Sequence, residues 1–193
     1  MIESSNFREI NKIEREIIFQ SLSKISTNIF QFLIRSKNKL YISLKDSKSR
    51  TNFPNIYLSS IYFEKEIDIV KSKKEICSVG IYFGFIKKGN FHLSLEGAEF
   101  LNKQGILSDV KCLYVNKKGE KSILYGNNIL KNMVIKTPSN LQKDDFLLIF
   151  NDLNEILAIA QSKIESNIIQ NLKPKDIVAL NMSDKGTYLR EKQ

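Results

Sequence analysis

The chain has 193 residues, 42% apolar and 26% charged, a globular balance with room for one large domain or two small ones. Lysine and arginine number 30 against 21 acids, and the formal net charge of +9 points to a polyanionic partner while saying nothing of fold. No apolar run nears the ~20 residues of a membrane span, Glu3, Arg8 and Glu9 interrupt any amino-terminal apolar segment, and Cys77 and Cys112 with one histidine make no zinc set. The expectation is therefore a soluble, cytoplasmic protein with two buried thiols, no cofactor and no membrane role.

Phe7, Ile10, Ile13, Ile17, Leu22 and Ile25 recur at spacings of three to five, which predicts one amphipathic helix over 7–25. A break at Ser26 and Thr27 follows, and the β-branched and aromatic residues of 28–34 predict a strand. KLYISLK, 39–45, alternates at Leu40, Ile42 and Leu44 as a half-buried strand does. Arg35, Lys37, Lys39, Lys45, Lys48 and Arg50 stand against one acid, Asp46. They read as a solvated strand and its loops, with a phosphate-facing patch as the sharper alternative. Pro54 and Asn55 open a strand over 56–59, and 61–71 reads as a helix. ICSVGIYFGFI, 76–86, is the most apolar run and the predicted central strand, buried on both faces. Gly80 and Gly84 within it signal a bulge or a close backbone approach. Ser94 caps a predicted helix that runs to about Lys103 and ends at Gln104–Gly105.

The second half has short apolar runs at 112–115, 134–135, 146–150, 156–160 and 177–182, separated by turn residues such as Asn116, Gly119, Pro138, Asn151, Pro174 and Gly186. Short strands at close turn spacing predict a small sheet or barrel, with one helix between Lys117 and Tyr125. Within ILYGNNILK, 123–131, the Gly126-Asn127-Asn128 break sits between apolar pairs and reads as a fixed corner at a helix end.

Catalytic signatures are missing: there is no P-loop, dinucleotide fingerprint or metalloprotease motif. GFIKKG, 84–89, lacks the spacing and the ending of a phosphate loop. His92 has no histidine partner and reads as structural or surface. Asp144 and Asp145 read as a turn before the strand at 146. Basic residues near turns remain: Lys131, Lys136, Lys143, Lys163, Lys173, Lys175, Lys185 and Arg190. Twelve lysines against one arginine after residue 105 favour phosphate contact over base reading. Tyr125 is a candidate for stacking on an unpaired base.

ILYGNNILK, with DIVALNMSDKGTYLRE at 176–191, resembles a PUA domain, the RNA-binding module named from pseudouridine synthases and archaeosine transglycosylases. More narrowly the chain resembles the large-subunit ribosome-biogenesis family called nuclear import protein seven. Leu124 to Lys131 and Tyr188 to Arg190 match the runs that open and close that domain in the family, Ser78 to Gly84 match a third, and Lys87 and Lys88 match a basic loop. The resemblance implies an α+β protein, with an amino-terminal antiparallel α/β domain over 1–108 and a PUA barrel over 109–193. It implies a non-enzymatic role in pre-ribosomal RNA processing and large-subunit assembly, in the nucleolus if the cell is eukaryotic.

The expected RNA site comprises Gly126, Asn127, Lys131, Lys136, Lys163, Lys173, Lys175 and Arg190, with Lys87 and Lys88 as a secondary basic patch. Backbone groups at the Gly126 corner are expected to meet RNA phosphates. Expected partners are pre-ribosomal RNA and, through the amino-terminal domain, ribosome-assembly or exosome-associated proteins, with the chain a monomer. The rival reading is a protein-interaction adaptor whose barrel binds RNA weakly or not at all.

Overall fold

The computed structural model describes residues 7–44, 53–73, 76 and 78–190. The chain is α+β and divides into two compact units, 1–108 and 109–193.

Among the described residues the first unit opens on a strand at Phe7, where the sequence predicts the helix. β1 (Phe7–Glu9) pairs antiparallel with residues 41–43 and sets the Phe7 ring 5.4 Å from Tyr41. The helix, α1 (Lys12–Ser23), starts where its cap allows. Asn11 Oδ1 accepts from Glu14 N at 2.9 Å and Glu14 accepts from Asn11 N at 2.8 Å, a reciprocal cap. Arg8 donates twice to the same carboxylate, at 2.8 and 2.6 Å, and so ties β1 to the helix start. Of the predicted face Leu22 is buried and Ile13 exposed, and the buried partner of Leu22 is Ile18, one residue past the predicted Ile17.

The break at Ser26 is real, since its hydroxyl accepts from Asn28 N, but 27–35 is a helix and the predicted strand is wrong. In α2 (Thr27–Arg35) Ile29 and Leu33 are the buried pair, four apart, and that period outweighs the β propensity of the residues. β2 (Asn38–Ser43) and β3 (Asn55–Ser60) follow; β2 buries Tyr41 and Ser43 as well as Leu40 and Ile42, so it is covered on both faces rather than one. A short 3-10 turn leads into α3 (Glu64–Lys73). β4 (Ile81–Lys87) is shorter than predicted and is the fourth strand of five, with several half-buried positions. The central strand is β3. β5 (Asn90–Leu93) and α4 (Leu95–Lys103) complete the unit, with Ser94 capping α4 through Gly97 N at 3.0 Å. The sheet order is β1-β2-β3-β4-β5, antiparallel throughout. Opposite Ile56 and Tyr57 the β3–β4 register shifts at Gly84, which is the predicted bulge.

Among the cations of 35–50, Lys39 bonds Glu9 at 3.2 Å and Glu64 at 2.6 Å, and Lys37 donates to Tyr62 Oη at 2.9 Å. These belong to a solvated strand. Lys45, Lys48 and Arg50 lie outside the described residues, as does Cys77.

The second unit is a nearly closed barrel. β6 (Lys111–Val115), α5 (Lys117–Leu124), β7 (Ile129–Leu130), β8 (Val134–Lys136), β9 (Phe146–Phe150), β10 (Ile156–Ser162), β11 (Ile177–Asp184) and α6 (Thr187–Arg190) form it. The strand order is β7-β11-β10-β9-β6-β8, and only the 3-10 turn at 131–133 separates the two edge strands in sequence. Leu113, Val115, Ile123, Ile129, Leu147, Ile149, Leu157 and Val178 fill the interior. β7 and α6 are the elements that strand-length patterning leaves out, being two and four residues long.

The Glu14 carboxylate is held below its ordinary range, first by its hydrogen bond with Arg8 and then by the Asn11 backbone. A lowered carboxyl pKa stabilises the fold above the unfolded value of about 4.3 and loses that contribution as pH falls through the folded value. Urea denaturation should find Glu14→Gln about 1 kcal/mol less stable at pH 7, with the gap narrowing as acid protonates the native carboxyl.

Candidate nucleic-acid interface

The Gly126 corner is held from within. α5 begins at Asn116, whose side chain accepts from Gly119 N at 2.8 Å, and ends at Leu124. Gly126 takes φ +85°, a conformation costly for any residue with a Cβ. The space beside it is filled: an added Cβ would lie 3.1 Å from the Arg190 Cζ. Arg190 donates to Asp184 Oδ1 at 3.0 Å and Oδ2 at 2.9 Å, and its Nη1 also meets the Leu124 carbonyl. Asp184, 3% exposed, further accepts from Gly186 N at 2.8 Å and Asn181 Nδ2 at 3.0 Å. Asn181 in turn reaches the carbonyls of Ile123 and Asn127, each at 3.3 Å, and its N–H donates to Asn128 Oδ1 at 3.1 Å. Asn127 Nδ2 donates back to Ser122 Oγ at 3.2 Å. The two stretches that carry the resemblance, 124–131 and 188–190, thus meet around one buried carboxylate.

The predicted site residues separate into two groups. Gly126, Asn127 and Arg190 lie with Asp184 at the end of β11; Tyr125, exposed, is next to them in sequence. Lys131, Lys163, Lys173 and Lys175 gather around the start of the same strand, roughly 20 Å away along it. Lys131 N donates to Asp176 O at 2.9 Å, Asn132 N to Pro174 O at 3.0 Å, and Lys163 N to Val178 O at 2.9 Å. The turn at 173–176 closes on itself, with Asp176 accepting from Lys173 N at 2.7 Å. Lys163, Lys173 and Lys175 are exposed and Lys131 is half-buried.

Lys143, which the sequence singles out only as a turn cation, joins this group, because Asp144 N donates to Ser162 O at 2.9 Å beside Lys163. Asp144 takes φ +67° and Asp145 pairs with Lys111 at 2.6 Å, so the two acids do form a turn before β9. Asp144, Glu165 and Asp176 offset part of the local positive charge. Lys136 stands on β8 opposite Tyr114, with Nζ 5.6 Å from the ring centroid.

In the first unit, Lys88 and Gly89 form a two-residue hairpin loop with φ 49° and 73°, between the paired Lys87 and Asn90. The GFIKKG stretch is therefore a hairpin and not a phosphate loop. His92 on β5 stacks on Phe85, centroids 5.0 Å apart. Burial, then the charge of Lys87, holds its pKa below the ordinary value. Cys112 is a free, half-buried thiol whose pKa burial pushes up. Among the described residues no group of three His, Cys, Asp or Glu side chains could hold a metal ion, and no helix is long and apolar enough to cross a membrane.

Residues 111–193 match the family described as UPF0113 PUA domain. The chain is 24% identical over 185 residues to the 60S ribosome subunit biogenesis protein NIP7 of Saccharomyces cerevisiae, covering 95% of this chain and 96% of that one. It is 25% identical over 186 residues to the NIP7 homolog of Danio rerio, again covering 95% and 96%. A hypothetical protein from Pyrococcus horikoshii, known from a crystal structure, has the same fold, with a TM-score of 0.64 at 13% identity over 96% of this chain and 98% of that one.

Asp184→Ala removes the acceptor that Arg190, Asn181 and Gly186 share. Urea denaturation should show a loss of about 3 kcal/mol. Arg190→Lys keeps the charge without the fork, and should cost about 1 kcal/mol.

Proposed function

We propose that this chain, a homologue of the 60S ribosome subunit biogenesis proteins with a UPF0113 PUA domain at residues 111–193, binds RNA during assembly of the large ribosomal subunit and catalyses no reaction itself. The observation that carries this reading is the gathering of Lys131, Lys163, Lys173 and Lys175 around the start of β11. Those ammonium groups bind phosphates as point charges and read sequence weakly. Lys136 extends the cationic surface along β8. Gly126, Asn127 and Arg190 fix the path of β7, which delivers Lys131. In a eukaryotic cell the work belongs to the nucleolus, and in a cell without one to the cytoplasm.

The chain acts as a monomer with two domains, 1–108 and 109–193, and the amino-terminal domain engages ribosome-assembly or exosome-associated proteins. A groove of about 580 Å³ in that unit supports this, lined by Leu58, Phe63, Ile67, Val70 and Phe100 with Glu66 at its side. It suits an apolar peptide segment that carries a basic residue.

Titration of the full chain with single-stranded RNA at several salt concentrations tests the RNA reading. About three neutralised phosphates predict a slope of about −2 in log affinity against log salt. Substituting Lys163, Lys173 and Lys175 by Ala should flatten the slope and weaken low-salt binding about tenfold. Binding by the native chain that ignores salt would contradict the reading, and no binding at low salt would favour the adaptor.

A further inference from the structure

One face of the first unit's sheet carries a row of rings that neither the barrel site nor the protein groove uses. The strand registers place Ser43, Asn55, Phe85 and His92 side by side across β2, β3, β4 and β5. Phe53 lies two residues before Asn55 and returns to the row, its ring stacked on Phe85 at 5.8 Å and 28°. Phe85 stacks on His92 at 5.0 Å and 12°. The three rings therefore form one stack that joins β4 and β5 to the segment before β3. All three are half-buried, unlike Phe91 and Leu93, which alternate with His92 and are buried beneath the opposite face.

The two ends of the stack differ. At the Phe53 end Lys87 Nζ lies 4.8 Å from the ring centroid, a cation–π contact. At the other end His92 stands on β5, the edge strand of the sheet among the described residues. Lys87 and Lys88 sit at the adjoining hairpin, both exposed, and Lys87 is the charge that acts on His92. The same row is buried at Ser43 and Asn55 and becomes accessible only at the rings. Half-exposed rings at the edge of a sheet, with cations at one rim, are what single-stranded RNA uses: a base continues the ring stack and its phosphates take the cations. The ring stack supplies flat contact and Lys87 and Lys88 supply charge complementarity, whereas an apolar protein segment would leave both ammonium groups without a counter-charge.

We propose that this face is a second RNA contact, in which one unpaired base stacks on the outer side of the His92–Phe85 pair and its flanking phosphates lie on Lys87 and Lys88. It is separate from the lysines of the barrel. One RNA strand touching both units would be held by two weak sites, and its effective concentration at the second site would be set by the RNA between them.

The test uses the full chain and a short single-stranded oligoadenylate carrying one 2-aminopurine, whose fluorescence falls when it stacks on an aromatic ring. Two backgrounds are compared: the native chain, and the chain with Lys163, Lys173 and Lys175 replaced by Ala. Quenching should persist in the substituted background. In that background His92→Ala should abolish it and weaken binding about tenfold, the loss of one stacked base, while His92→Phe restores both. Circular dichroism and the thermal midpoint check that the variants are folded. Quenching and affinity that are unchanged in a folded His92→Ala chain overturn the proposal, as does complete loss of RNA binding on replacing the barrel lysines alone. The barrel reading fails separately, if those three replacements leave the salt dependence of the native chain intact.

Discussion

The second unit depends on one buried carboxylate. Asp184 ends the last and longest strand of the barrel, almost out of reach of water. Removing a carboxylate from water costs several kcal/mol, and the cost is offset only when donors satisfy both oxygens. Here Arg190 supplies two, Asn181 one and the Gly186 backbone one. The planar guanidinium suits this work because one rigid group reaches both carboxylate oxygens. It also meets the Leu124 carbonyl at the exposed end of α5, where a cation is favoured by the helix dipole. Gly186 is required for closeness, since a Cβ there would lie 1.8 Å from the Leu124 oxygen. One charge pair therefore locks α5, the Gly126 corner, β7 and the carboxyl-terminal turn together.

That lock bears on function through geometry. β7 is two residues long and has little pairing of its own. Its start is fixed by the Asn128–Asn181 hydrogen bond and its end by Lys131 N on the Asp176 carbonyl. Lys131 thus reaches the cationic turn at 173–176 because the far end of β7 is held at Asp184. On the proposed reading the corner holds the strand in place, and the lysines that meet RNA sit at its other end. Residues near in sequence, such as Gly126 and Lys131, take different roles because an antiparallel strand carries the chain away from the corner.

Much of this was legible in the residues and some was not. One cap could be read, Ser94, whose side chain satisfies a first free N–H group of its helix; Asn116 read only as a turn residue and Ser26 only as a break before a strand, although both cap helices. The barrel's five main strands could be read from short apolar runs between turns. The stretch at 28–34 misled, because Ile and Phe favour strands in general while their spacing here favours a helix. The start at Phe7 misled for the opposite reason, since three residues are too few to show alternation. The partnership of Arg190 and Asp184 is six residues apart in sequence and close in kind to many surface pairs. Its burial, and its reach to Leu124, exist only after the barrel closes. Likewise Phe53, Phe85 and His92 form a stack only through strand register, so nothing in their separate neighbourhoods announces it.

The most direct test of the central claim is lysine footprinting of the full chain by acetylation, with and without single-stranded RNA at low salt. RNA should protect Lys131, Lys143, Lys163, Lys173 and Lys175. Lys121, in the last turn of α5, and Lys185, next to Asp184, should be labelled equally in both conditions. Protection of Lys121 and Lys185 with the first five unchanged would place RNA at the corner instead and contradict the account.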